Sequence, residues 1–259
     1  MSRYRLVIIL RLRFADARTW RYSIAALEDL VETAVMRVSE EGLSIRAMDP
    51  AHVAMIEFSI PREGFDVFDV DKETKIHANL EVVMKVLRRS SKKDEFELIY
   101  QPPDLRIGLI SPEGIERYFE LTTLAPGAVE EPPELSLDFP VKASMIPQAF
   151  KSGYKILSEV GEYIEFYAEE NLMIMSTQSE LSEVKIELTT ESGLLTSYEF
   201  SADKPQRSRY SIDYFDKVSR LAMIADNIEV LFGEDIPVKI KTSLPRGAWL
   251  VLYVAPRQE

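Results

Sequence analysis

His52 is one of only two histidines in a chain of 259 residues, and Asp49 stands three positions before it. A carboxylate close to an imidazole is the raw material of proton transfer near neutral pH. A working site of that kind also needs a nucleophile or a metal, and donors for the charge that develops. The surrounding stretch, Ala47-Met-Asp-Pro-Ala-His-Val-Ala-Met-Ile-Glu-Phe58, supplies neither. The chain has no glycine-rich phosphate loop, no Gly-x-Ser-x-Gly and no His-Glu-x-x-His. Asp-Pro is a common turn opener, so the pair reads as a loop with a histidine on it rather than as half an active site. The other histidine, His77, comes just before a helix cap at Asn79 and has the same structural reading.

The totals narrow the chemistry further. There is no cysteine, which excludes a disulfide framework, a thiolate zinc site and a cysteine nucleophile, and fits an intracellular protein. Two histidines are little material for a metal site, so no metal, cofactor or catalytic group is expected. Hydrophobic residues make up 46% and charged residues 29%, ordinary values for a globular protein of one large or two smaller domains. The longest apolar runs, such as Leu6–Leu10, fall far short of the roughly 18–20 residues of a membrane span. Arg11 and Arg13 break the N-terminal patch too early for a secretory signal. The alternation Leu6, Ile8, Leu10, Leu12, Phe14 predicts a strand instead. The net charge of −12 argues against nucleic-acid binding as a total, but says nothing about distribution.

Four segments carry helical periodicity: about 17–35, 79–91, 143–160 and 212–225. Between them lie hairpins: 95–100 with 105–110, 163–167 with 172–175, and 228–232 with 238–241. The halves echo each other. Ser39-Glu-Glu-Gly-Leu-Ser-Ile45 resembles Ala168-Glu-Glu-Asn-Leu-Met-Ile174, and Glu97-Leu-Ile-Tyr100 resembles Glu229-Val-Leu-Phe232, each about one domain length apart. Two similar α+β domains are expected, 1–120 and 135–259, with residues 1–9 as an extension. Residues 121–134, which hold three prolines and a glycine, form the connector.

Every predicted helix carries a basic stripe. Arg18 and Arg21 are spaced i, i+3 on the first. Lys85, Arg88 and Lys92 share a face of the second, with Arg89 and Lys93 beside them. The third has Lys151 and Lys155, and the fourth Lys217 and Arg220. One such pair is a solvated helix face. Four of them in an acidic chain point to one electropositive surface that holds phosphates without reading bases. The acids are expected elsewhere, in loops and connector: Glu40, Glu41, Glu130, Glu131, Glu134, Glu169 and Glu170.

With these features in hand, the chain resembles the sliding-clamp family, in its archaeal and eukaryotic proliferating cell nuclear antigen (PCNA) form. The resemblance runs from about Leu10 to Arg257. It rests on Gly42-Leu-Ser-Ile-Arg-Ala-Met-Asp-Pro-Ala-His-Val53, Glu63-Gly-Phe-Asp66, Asn79-Leu80, Lys85-Val-Leu-Arg88, Asp235-Ile-Pro237 and Tyr253-Val-Ala-Pro-Arg257. It implies a ring of three subunits with two clamp domains each, helices lining the hole and antiparallel sheets outside. Arg21, Lys85, Arg88, Lys155 and Arg220 match its basic channel positions, with Arg18, Arg89, Lys151 and Lys217 as further contributors. The channel would hold double-stranded DNA without sequence preference.

The resemblance also implies partners: DNA polymerase, flap endonuclease, DNA ligase and the clamp loader. They would dock through a peptide with a glutamine, an aliphatic residue and two aromatics. The pocket corresponds to Met48, His52, Val53, the connector from Leu124 to Val129, Pro237, Tyr253, and the backbone of Ala255, Pro256 and Arg257. Subunits would join by edges near Gly114–Leu121 and Glu180–Leu188. Location would be cytoplasmic, at the nucleoid, in an archaeon and nuclear in a eukaryote. The chain departs from the pattern in beginning about eight residues early and in the connector sequence Thr122-Thr-Leu-Ala-Pro-Gly127. Two alternatives stay open: a subunit of mixed rings serving selected partners, and a nucleic-acid-processing enzyme using Asp49 and His52.

Overall fold

A computed structural model describes residues 9–127 and 129–257. The expected extension at 1–9 lies outside the described residues except for Ile9, as do Leu6 and Ile8 of the expected first strand. The chain forms two compact units. The first holds the described residues up to Ala47, then Glu57–Pro132 and Arg246–Ala248; the second holds Met48–Ile56, Pro133–Pro245 and the described residues from Trp249.

One order of elements occurs twice. The first pass is β1 (Leu10–Phe14), α1 (Ala17–Glu28), β2 (Thr33–Ser39), β3 (Gly42–Met48), β4 (Ala54–Pro61), β5 (Val67–Val70), β6 (Thr74–Asn79), α2 (Leu80–Leu87), β7 (Glu95–Gln101), β8 (Asp104–Ile110) and β9 (Glu116–Thr122). The second is β10 (Val141–Met145), α3 (Pro147–Ser158), β11 (Tyr163–Glu169), β12 (Leu172–Gln178), β13 (Glu183–Leu188), β14 (Leu195–Phe200), β15 (Gln206–Ser211), α4 (Asp216–Leu221), β16 (Asn227–Phe232), β17 (Val238–Ser243) and β18 (Trp249–Val254).

Strand order repeats as well. The order β5-β1-β7-β8-β9 returns as β14-β10-β16-β17-β18, and β4-β3-β2-β6 returns as β13-β12-β11-β15. β18 lies beside β4, whose residues Ala54–Ile56 belong to the second unit. Among the described residues, their counterparts β9 and β13 have a neighbour on one side only and are open edges. This is the α+β class with antiparallel sheets that the alternating patterns predict.

All four predicted helices are shorter than their periodicity suggests: the second ends at Leu87 rather than 91, and the fourth is α-helical only over Asp216–Leu221, after a 3-10 turn at Ile212–Phe215. The first stops at Glu28, and Ala34 and Val35 enter β2, paired with β3 and β6. The run Val31–Val35 is rich in β-branched residues, and ladder pairing outweighs a helical spacing that continued by coincidence. The third starts at Pro147 rather than Ala143. Proline suits a first helical position but disfavours helix in the residue before it, so Val141–Met145 remains a strand. Local caps fix the starts of α1 and α2: Asp16 accepts the Arg18 N–H at 2.9 Å, and Asn79 accepts the Val82 N–H at 2.9 Å.

Each unit has its own aromatic core. In the first, Trp20 on α1 stacks on Phe96 of β7 at 4.1 Å and meets Phe58 edge-on at 5.9 Å. In the second, Phe166 gathers Tyr210, Phe215 and Phe232. All of these are fully buried, and truncating one such ring costs about 3–5 kcal/mol. Gly42 opens β3 with φ +142, and a Cβ there would lie 2.2 Å from the Ile60 carbonyl oxygen, so no side chain fits.

Candidate functional site

Asp49 and His52 close a turn. The His52 N–H donates to the Asp49 carbonyl at 2.9 Å, and His52 takes a left-handed φ of 57° with its side chain exposed. The Asp49 carboxylate is turned inward, 7% exposed. Its Oδ1 accepts the Val53 and Ala54 N–H groups at 2.8 and 2.7 Å, and its Oδ2 accepts the Tyr214 hydroxyl at 3.1 Å. Burial, and then the Asp49 charge and hydrogen bond, push the Tyr214 hydroxyl pKa up. The carboxylate is thus committed to main-chain amides and a phenol, an arrangement that shapes a loop. Among the described residues no cluster of three or more His, Asp or Glu could hold a metal ion. Among them, too, no helix is long and apolar enough to cross a membrane.

Beside the turn lies an apolar surface in the second unit. Met55, Val251 and Tyr253 form a buried cluster, with Met48, Leu137, Phe139 and Trp249 half-buried against it. Met48 and Tyr253 are therefore in one cluster. Lys239 stands over the Tyr253 ring at 5.6 Å. The Ala255 N–H donates to the Val53 carbonyl at 2.8 Å, and the Arg257 N–H to the Arg209 carbonyl at 2.7 Å. The Arg257 guanidinium reaches the Glu162 carbonyl at 3.3 Å, and Pro256 and Arg257 line a cavity of about 580 Å³ with Arg207, Arg209, Glu234 and Asp235. Pro237 is half-buried beside Ile236, whose carbonyl accepts the Tyr210 hydroxyl at 3.0 Å.

Leu124 and Val129 fall in the first unit, both half-buried; the Leu124 N–H donates to the His77 carbonyl at 2.8 Å. Sequence reasoning missed Met55, Leu137, Phe139, Trp249 and Val251. The alternation Trp249, Val251, Tyr253 on one strand face was the available signal for part of that set.

The basic helix residues are less bare than their spacing implies. Arg18 pairs with Asp16 at 3.0 Å, Lys85 with Glu81 at 2.7 Å, Arg88 with Glu28 at 3.3 Å, and Arg220 with Asp216. Arg21, Arg89 and Lys217 stand over the rings of Tyr22, Phe119 and Tyr214. Lys155 is exposed and Lys151 half-buried on α3. Acids are therefore not confined to loops and connector, because i, i+4 spacing puts Glu81 beneath Lys85 and Asp216 beneath Arg220. Glu131, between β9 and β10, is tied down as well, to Arg37 at 3.1 Å and Lys75 at 3.2 Å.

Comparison with known proteins matches this picture. The family model of the proliferating cell nuclear antigen N-terminal domain matches residues 9–109. DNA polymerase sliding clamp 3 of Aeropyrum pernix is 35% identical over 250 residues, 96% of this chain and 98% of that protein. A solved PCNA2-PCNA3 complex from Sulfolobus tokodaii contains a chain with TM-score 0.87 and 30% identity, covering 96% of this chain and 100% of that one. PCNA from Thermococcus kodakaraensis also gives TM-score 0.87, at 28% identity and the same coverage. The twice-repeated fold shared with these relatives is that of a DNA sliding clamp, a polymerase processivity factor rather than an enzyme. The chain belongs to the PCNA family, in its archaeal form.

Proposed function

We propose that this subunit closes with two other clamp subunits into a three-membered ring around double-stranded DNA. The carrying observation is the pair of open edges. β9 and β13 occupy the same places in the repeat as β18 and β4, which lie side by side within the chain. Joining β9 of one subunit to β13 of the next repeats a contact the chain already makes, and it covers edges that otherwise invite aggregation. Ile115 and Leu181, 62% and 97% exposed, flank those two strands and gain cover in the same step.

In this reading residues up to 120 and from 135 are the two clamp repeats, with 121–134 as connector. The helices carry Arg18, Arg21, Lys85, Arg88, Arg89, Lys151, Lys155, Lys217 and Arg220 toward the phosphates. Their acid partners temper the field, which favours a loose, sliding hold over a fixed one. The apolar cluster around Tyr253, with the main chain of Ala255 to Arg257 beside it, suits a partner peptide that brings aromatic anchors and hydrogen-bonding groups. Polymerase, flap endonuclease, ligase and clamp loader are the expected carriers, in the cytoplasm at the nucleoid.

Retention on circular DNA tests the reading. Loaded protein should stay on a closed circle and leave when the circle is cut. Equal retention on cut and closed DNA would rule out encirclement.

A further inference from the structure

We infer that the open edges of this chain reject a second copy of the same chain, and that β13 takes the β9-type edge of a different clamp chain, one that carries lysine or arginine there. The inference rests on the ring reading above and names the partner at its seam.

The register at the seam follows from the repeat. Within the second unit, the Ala255 N–H donates to the Val53 carbonyl at 2.8 Å. In an antiparallel pair that bond sets Tyr253 opposite Met55, and both belong to one apolar cluster. The equivalent positions at the free edges can be read from the ladders. Leu12, Leu98, Ile107 and Phe119 face one another across β1, β7, β8 and β9. Ala143, Val230, Ile240 and Leu252 do the same across β10, β16, β17 and β18. Leu252 therefore corresponds to Phe119, and Tyr253 to Glu120.

The other edge is fixed by its hairpins. Ser39 pairs with Gly42 and Glu169 with Leu172, so Ile45 corresponds to Met175. Met175 faces Ile186. The Asp49 N–H to Ala54 carbonyl and Arg62 N–H to Glu41 carbonyl bonds set Ile45 opposite Phe58. Phe58 thus corresponds to Ile186, and Met55 to Glu183.

Transferring the register puts Glu120 of one copy opposite Glu183 of the next. Antiparallel stepping then sets Tyr118 against Lys185 and Glu116 against Glu187. The face that is Tyr253 on Met55 inside the chain becomes carboxylate on carboxylate twice over. All four glutamates are exposed. Lys185, the one base on that face of the seam, already pairs with Glu183 at 2.9 Å. Arg106 faces Glu120 across the β8–β9 ladder, but its guanidinium lies over the Tyr118 ring at 4.0 Å. Like charges directly opposite in a sheet are destabilising, and a repulsive element of this kind is how an interface excludes the wrong partner. A basic edge on another chain turns the same contacts into ion pairs.

Self-association measured by sedimentation tests this as a charge-swap cycle. Two double variants, Glu183→Lys with Glu187→Lys and Glu116→Lys with Glu120→Lys, each make both contacts attractive. The fourfold variant makes them repulsive again. Each double variant should associate with itself about tenfold or more tightly than the parent, less so at high salt, and the fourfold variant should lose the gain. A parent that forms three-membered rings as tightly as the double variants overturns the inference and leaves the ring standing. If parent and both double variants stay monomeric at every concentration, the inference and edge pairing both fall.

Discussion

Lys85 Nζ lies 2.7 Å from Glu81 Oε1, one turn back along α2, with both side chains more than half exposed. The hydrogen bond and charge of Lys85 hold the Glu81 carboxyl below its ordinary pKa. In solvent such a pair adds little stability, so its consequence is electrostatic: it removes one net charge from the face that the DNA reading assigns to phosphate. Glu81→Gln should leave folding stability unchanged. It should raise non-specific affinity for duplex DNA a few-fold at low salt and steepen the salt dependence by up to about one unit of slope. Unchanged affinity across a salt titration would remove Lys85 from the contact surface.

Reversing the basic face should do the opposite. Glu at Lys85, Arg88, Lys155 and Arg220 together should abolish loading onto DNA while ring assembly persists, because none of the four lies on β9 or β13. Full stimulation of polymerase by that variant would count against the channel assignment.

The turn at Asp49 makes a stability prediction. Tyr214→Phe removes one hydrogen bond to the carboxylate and should cost about 1 kcal/mol. Asp49→Ala strips the acceptor from the Val53 and Ala54 amides and should cost about 2–4 kcal/mol. His52→Ala should change stability by less than about 0.5 kcal/mol, since the ring is exposed and alanine meets the same left-handed φ. Denaturant unfolding of the three variants gives the ranking, and a cost at His52 as large as that at Asp49 would contradict it.

The connector should loosen in acid. Burial pushes the Glu131 carboxyl up, but hydrogen bonds from Lys75 and Arg37, and their charges, outweigh it and bring the pKa below the ordinary 4.5. A lowered folded pKa gives stability that is present above the unfolded value and disappears as pH falls through the folded one. Protease cleavage within 121–134 should therefore rise below about pH 4. Glu131→Gln should be cleaved faster than the parent at neutral pH and show a smaller further increase in acid.

Docking can be separated from folding at Leu137, half-buried against the Tyr253 cluster. Leu137→Ser should weaken a fluorescent peptide bearing a glutamine, an aliphatic residue and two aromatics by about tenfold, with unfolding shifted by less than about 1 kcal/mol. Met55→Ala, fully inside the cluster, should instead cost about 2–5 kcal/mol of stability.

Much of this architecture is legible in the sequence, for physical reasons. Helix starts carry local chemistry at Asn79 and Pro147, and strand faces carry period-two burial, as in Leu10–Phe14. The end of α1 is not legible, because Ala34 and Val35 continue the helical spacing while their partners lie on β3 and β6. The apolar cluster around Tyr253 is half legible. Met48 and Tyr253 follow from the family motif, whereas Leu137 and Phe139 alternate with Ser136 and Asp138 like a strand but join no sheet, and only packing reveals where they go. Opposed charges are the hardest part. Glu116 and Glu187 look like ordinary surface acids until the proposed seam register sets them face to face.

The turn from Asp49 to His52 has one more consequence. It is fastened by one carboxylate to amide groups and to a phenol, and amides are what nearly every residue type carries. Pro50, Ala51 and His52 point their side chains outward and take no part in the fastening. The rim of the proposed docking surface can therefore be rewritten, one side chain at a time, without renegotiating the fold beneath it. In that proposed setting, a clamp that keeps Asp49 keeps a fixed turn beside which new partners can be tried.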